Sequence, residues 1–143
     1  MTVSMRGMAA ALAVALGLAV VTGHIPGLVD AEGRTFGIYR LNAYNDWLHA
    51  LSAIWAAPAA YLSRRASMMF LRIFGTLYFL DGVMGVAVGS GYLDLGILIK
   101  GVLDLPLGFK VLASLPHLIL GGIGIVSGFF LAQPEEQHGG RAQ

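Results

Sequence analysis

Three side chains in this sequence are of a type to do chemistry within apolar surroundings: His49, His117 and Asp81. Two imidazoles at equal depth on different helices could ligate a haem b through its two axial positions. Asp81 is the costliest residue, since a carboxylate inside a bilayer costs at least about 2.5 kcal/mol unless it finds a partner or water. Such a residue is a candidate for proton or ion passage. The bland alternative is a protonated Asp81 acting as interhelical glue, bonded to Tyr78, Thr22, Ser52 or a histidine. For the histidines the bland alternative is a place just inside a helix start, bonded to backbone or loop. Asn42, Asn45, Asp46 and Ser114 are local candidates for those bonds and for helix caps. Of the other two histidines, His24 next to Pro26 belongs at the membrane interface and His138 in the polar tail.

These residues need elements to hold them, and the apolar runs supply them. Of 143 residues, 57% are hydrophobic and 12% charged, about half the charge of an ordinary soluble domain. The mean hydropathy is +0.74. A helix needs roughly 20 apolar residues to cross a hydrocarbon core of about 30 Å. Four stretches qualify, at about 7–23, 47–63, 72–90 and 111–132. The reading is an all-α integral membrane four-helix bundle in one domain, 1–134, followed by a disordered polar tail at 135–143. The first run also looks like a secretory signal peptide. No small-x-small cleavage site follows Val20-Val21-Thr22-Gly23-His24, so it is taken as a retained span.

The sequence also resembles itself. Displaced by 68 positions, Gly7 falls on Gly75, Gly17 on Gly85, Gly23 on Gly91, Gly33 on Gly101 and His49 on His117. Each copy reads as helix, glycine-marked exit, a connection of about 20 residues, then a helix with His near its start. An even number of spans per copy makes this a parallel tandem repeat of two helices. The two long connections are apolar enough to form short interfacial helices or re-entrant turns, and Pro106-Leu107-Gly108 reads as a breaker ahead of the fourth span.

Helices in lipid associate through small residues that let backbones approach. That rule locates the inward faces. Gly121, Gly124 and Gly128 form a stripe with His117 four residues before it; Ala53, Ala56 and Ala60 form one with His49 four before it. Gly85 and Gly89 continue from Asp81. All three ionisable groups therefore sit on expected packing faces.

Charge sets the orientation and excludes several functions. Arg6, Arg64, Arg65, Arg72 and Arg141 fall on one side; Arg34, Arg40, Lys100 and Lys110, offset by acids, fall on the other. By the positive-inside rule both termini are cytoplasmic, in a multi-pass inner (plasma) membrane protein. The net charge of +1 implies no nucleic acid. The chain has no cysteine, which removes thiol catalysis and thiolate metal sites. There is no phosphate loop, no Ser/His/Asp order and no metal-ligand spacing.

Taken together, these residues resemble a bacterial membrane family of the domain of unknown function 4383 type. Its members have four spans and an Asn-x-x-x-x-x-His type lead into the second, as in Asn42-Ala43-Tyr44-Asn45-Asp46-Trp47-Leu48-His49. A Gly-x-x-Tyr-Leu-x-x-Gly pattern in the third span is resembled by Gly75-Thr76-Leu77-Tyr78-Phe79-Leu80-Asp81-Gly82, and a second His opens the fourth at His117. The likeness covers roughly 7–132. Leu112-Ala113-Ser114-Leu115-Pro116 departs from the family's Asn-Asp lead-in, and Asp81 is not expected from it. The resemblance implies a fold and no established activity. The expectation is a non-enzymatic bundle that supports or binds a membrane partner or a second copy of itself, with no cofactor. The alternatives are a haem b or quinone-associated electron-transfer subunit using His49 and His117, and a small proton or ion carrier using Asp81.

Overall fold

In a computed structural model, the structure describes residues 4–132, and these are all-helical apart from turns. Helix α1 runs Met5–Thr22, α2 Ala43–Leu62, α3 Arg64–Val88, α4 Gly96–Lys100 and α5 Leu107–Ile125, continued by a π-helical turn Val126–Phe130. The expected tail at 135–143 lies outside the described residues.

Local chemistry explains where each helix begins. Ser4 caps α1, its side chain accepting from the Gly7 N–H at 3.2 Å. Asn42 and Asn45 form a reciprocal capping box on α2, satisfying two orphan N–H groups at once. Ser63 caps α3 through the Ala66 N–H at 3.0 Å and is itself extended at φ −164°. That single residue is the whole joint between α2 and α3. The stretch at 64–71 between the second and third apolar runs is therefore not a link: Arg64 and Arg65 open α3, and Arg72 lies within it. The Ser63 cap can start a helix at once, which hydropathy cannot show because the arginines break the apolar run. Gly89 ends α3 in the left-handed region at φ +82°, a conformation that costs glycine little. Pro106 precedes α5, as its breaker role predicts.

Three helices are long and apolar enough to cross a membrane: Met5–Thr22, Arg64–Val88 and Leu107–Phe130. That corrects the count of four read from the sequence. Helix α2 has the length, at 20 residues. However, it carries Asn45, Asp46 and His49 in its first turns, Pro58 inside, and Tyr44, Trp47, Trp55 and Tyr61 along it, which together lower its hydropathy.

The helices pack as two close pairs, α1 on α2 and α3 on α5, with α1 and α2 both laid against α3. Both pairs are antiparallel. At one end Arg6 reaches the Ala60 and Tyr61 carbonyls at 2.8 Å each, and Arg72 reaches the Gly128 carbonyl at 2.7 Å. At the other end lie both long connections. The first, between α1 and α2, is a set of turns bridged at Val29–Thr35 and Thr35–Tyr39. The second contains the expected short helix as α4.

Ala9, Leu16, Ala56, Phe70, Leu71, Phe74 and Tyr78 fill the interior. Helix α3 meets α5 almost backbone to backbone. A Cβ on Gly124 would lie 2.7 Å from the Gly75 Cα, and one on Gly121 2.7 Å from the Phe79 Cα. The stripe of Gly121, Gly124 and Gly128 is thus the packing face, as is Ala53, Ala56 and Ala60 on α2, where Ala56 is fully buried and its two neighbours partly so.

Candidate functional site

Asp81, His117 and His49 come together near the end of the helices that bears the connections. Asp81 lies seven residues before the end of α3, about 10 Å along its axis, and is 3% exposed. Its depth is answered by the chain itself. The segment after Gly89 folds back, and the backbone N–H groups of Tyr92 and Leu93 donate to Asp81 Oδ1 at 2.6 and 2.8 Å. Gly91 allows this approach, since a Cβ there would lie 2.7 Å from both carboxylate oxygens. On the other oxygen, His117 Nδ1 meets Asp81 Oδ2 at 2.5 Å. Two groups that can only donate fix Oδ1 as an acceptor, so the remaining proton of the site is held between Oδ2 and the imidazole.

The His117 ring contacts two further rings. Tyr78 lies 4.9 Å away between centroids, and His49 lies 6.0 Å away edge to face. Below Tyr78 an aromatic column continues along α3: Phe74 at 4.1 Å, Phe70 a further 5.0 Å, and Trp55 of α2 at 5.0 Å from Phe70. Tyr78 turns its hydroxyl aside to Ser52 at 2.8 Å. The polar cluster therefore faces the connections and is closed beneath by aromatic carbon.

A second set of polar groups surrounds His49, which is 7% exposed. One turn earlier on α2, Asp46 Oδ2 accepts from His24 Nε2 at 3.0 Å, and the His24 side chain is 67% exposed. Asn45 donates to Asp94 Oδ2 at 2.8 Å, tying α2 to the second connection. Two buried atoms, Asp46 Oδ1 and His49 Nδ1, have no hydrogen-bond partner among the described residues. Tyr92, outside the helices, has its phenol pushed above the ordinary range by burial first and by the Asp81 charge second.

The sequence placed His49, His117 and Asp81 on inward faces, and the structure brings all three into one cluster. Of the partners expected for Asp81, a histidine is the one found; Tyr78 reaches it only through the His117 ring. Asn42 and Asn45 are caps, as expected, while Asp46 is engaged by His24 instead. Missed altogether were Tyr92 and Leu93, whose contribution is backbone and carries no side-chain signal. The column of Phe70, Phe74 and Tyr78 was also missed, although its spacing of four residues was visible.

The His117 ring is thus held by Asp81 on one nitrogen and packed against Tyr78 and His49. No group of three or more His, Asp or Glu side chains capable of holding a metal occurs among the described residues. Comparison with known protein families, with curated proteins and with solved structures finds no match.

Proposed function

We propose that this chain is a non-enzymatic, multi-pass integral membrane protein with a proton-binding site at Asp81, His117 and His49, open to one face of the membrane. Helices α1, α3 and α5 with its π-helical continuation are apolar enough to cross, and α2 runs antiparallel along α1 from His24–Asp46 at one end to Arg6–Tyr61 at the other. The tandem repeat gains support from the meeting of His49 and His117, which the 68-residue register makes equivalent. The likeness to the bacterial four-span family and the cytoplasmic placement of Arg6, Arg64, Arg65 and Arg72 belong to this proposal as well.

One observation carries the proton-binding reading: a nearly inaccessible carboxylate held by two backbone N–H groups and an imidazole, with a second imidazole in contact. Burying such a pair is expensive, and an apolar cluster of the same volume would stabilise the fold as well or better. The cluster has two acceptors for one mobile proton, which is the requirement for binding and releasing it. Phe70 and Phe74 close the far side, so the arrangement favours reversible uptake over steady conduction. The test is to count the protons taken up on acidification by the full chain in lipid nanodiscs. Wild type takes up more protons per chain than Asp81→Asn; equal uptake by the two would overturn the reading.

A partner-supporting role is the second reading, favoured by an open groove of about 370 Å³ on α2, lined by Tyr44, Trp47, Leu51, Trp55 and Leu95 among others. Co-purification that survives in wild type and fails in Trp47→Ala would support it.

A further inference from the structure

The geometry points to a proton route from the membrane surface to Asp81 that runs through His24, Asp46, a bridging water molecule, His49 and His117. It rests on the proton-binding reading above and assigns the path by which that site is filled.

The two unpartnered atoms carry the argument. Buried polar groups are almost always hydrogen-bonded, and each left without a bond costs about 1–3 kcal/mol. Here there are two, Asp46 Oδ1 and His49 Nδ1, on residues three apart in α2. That spacing sets their Cβ atoms about 5–6 Å apart on one face. An acceptor and a ring nitrogen so placed suit a single water, which needs two or more polar partners to be held. With that water in place, hydrogen bonds run from His24 to His49 and from His117 to Asp81, and the ring contact between His49 and His117, 6.0 Å between centroids, lies between the two runs. His24, 67% exposed, bonds to Asp46 at 3.0 Å; His49 touches His117; His117 bonds to Asp81 at 2.5 Å.

The groups facing His49 are His117 from α5, Asp46 on its own helix and Asp94 from the second connection. Helix α3 adds Tyr78 and Asp81 behind His117, and α1 adds only Arg6, at the opposite end.

One proton moves and no heavy-atom bond changes. His24 passes a proton from Nε2 to Asp46 Oδ2, and rotation of the carboxyl group offers it to the water. The water gives one of its own protons to His49 Nδ1 and is restored. His49 releases the proton of its other ring nitrogen to His117, whose Nδ1 proton goes to Asp81 Oδ2. Each imidazole gains one proton and loses one, and ring tautomers reset on the return.

The test follows proton uptake after a rapid drop in pH, with a pH-sensitive dye and the full chain in nanodiscs. Asp46→Asn and His24→Gln should each slow uptake, Asp46→Asn by at least about tenfold, the low end for loss of a positioned proton-transfer group. Both should still take up the proton that Asp81→Asn loses, differing from wild type in number only by what the replaced side chain itself could bind. Unchanged rates in both variants, with Asp81→Asn still lowering the number bound, would overturn the route and leave the site standing. Unchanged proton number in Asp81→Asn would remove the site and the route with it. Because His24 is exposed and outside any helix, His24→Gln keeps the test decisive if Asp46→Asn fails to fold.

Discussion

The two helix pairs solve the same problem with different materials. In α3–α5, glycine meets backbone: Gly75 against Gly124 and Gly121 against Phe79, at separations where no Cβ fits. In α1–α2, the positions equivalent to Gly121, Gly124 and Gly128 are Ala53, Ala56 and Ala60, and the equivalent of Gly85 is Gly17, which has open space beside it. Yet one detail is kept. The Ala60 and Gly128 carbonyls, equivalent by the 68-residue register, are each held by an arginine Nε, at 2.8 Å from Arg6 and 2.7 Å from Arg72. The tighter pair is also the one that carries the buried carboxylate, since Asp81 stands where the first pair has Ala13. Close helix contact leaves little freedom around a charged group, and the buried carboxylate belongs to the tighter pair.

This contrast can be broken, and the largest effect is expected at the glycines. Gly124→Val forces branched carbon into the Gly75 backbone and should cost about 4 kcal/mol or more, read as loss of folded protein in detergent melts. The equivalent Ala56→Gly should cost about 1 kcal/mol. Comparable losses at the two sites would end the distinction between the pairs.

Next comes the carboxylate. Asp81→Ala leaves His117 and two buried N–H groups without their acceptor, at about 3 kcal/mol, whereas Ala13→Ser at the equivalent position should change the melting midpoint little. Smaller still are the arginine clasps. Arg72→Gln and Arg6→Gln should each cost about 1–2 kcal/mol and by similar amounts, because the same carbonyl position loses its donor. Unequal costs would show that the clasp is not shared between the pairs.

The smallest effect lies outside the helices. The Arg34 backbone N–H, chiefly, holds the Asp30 carboxyl below its usual range, with the Arg34 side chain adding to it. A depressed folded value stabilises the turn above the ordinary carboxylate pKa and is lost as pH falls through the folded value. The carboxyl-carbon shift of Asp30 should therefore titrate below that of an unfolded Asp, and Arg34→Ala should bring it part of the way back.

Much of this was legible in the sequence, and the limits have physical causes. The inward faces followed from small residues at helical spacing, because packing in lipid depends on them. The 68-residue register singled out His49 and His117 as a pair, and their rings meet in the structure. The count of four failed at α2, where Asn45, Asp46 and His49 dilute the hydropathy that marks a span. The Ser63 joint was hidden because a one-residue turn has no composition of its own. The partners of Asp81 were half hidden: His117 was a named possibility, but the Tyr92 and Leu93 N–H groups arrive through a fold of the chain that no side chain announces.

The central claim is that Asp81 and His117 share a proton that can be gained and lost within the helices. The most direct measurement is the nitrogen-15 spectrum of the His117 ring in bilayers, followed across the pH range in which the protein stays folded. The account predicts that Nδ1 reports a strong hydrogen bond to a carboxylate, that the ring signals respond when Asp81 takes up its proton on acidification, and that Asp81→Asn removes both features. A His117 ring that is indifferent to pH and unchanged by Asp81→Asn would contradict it.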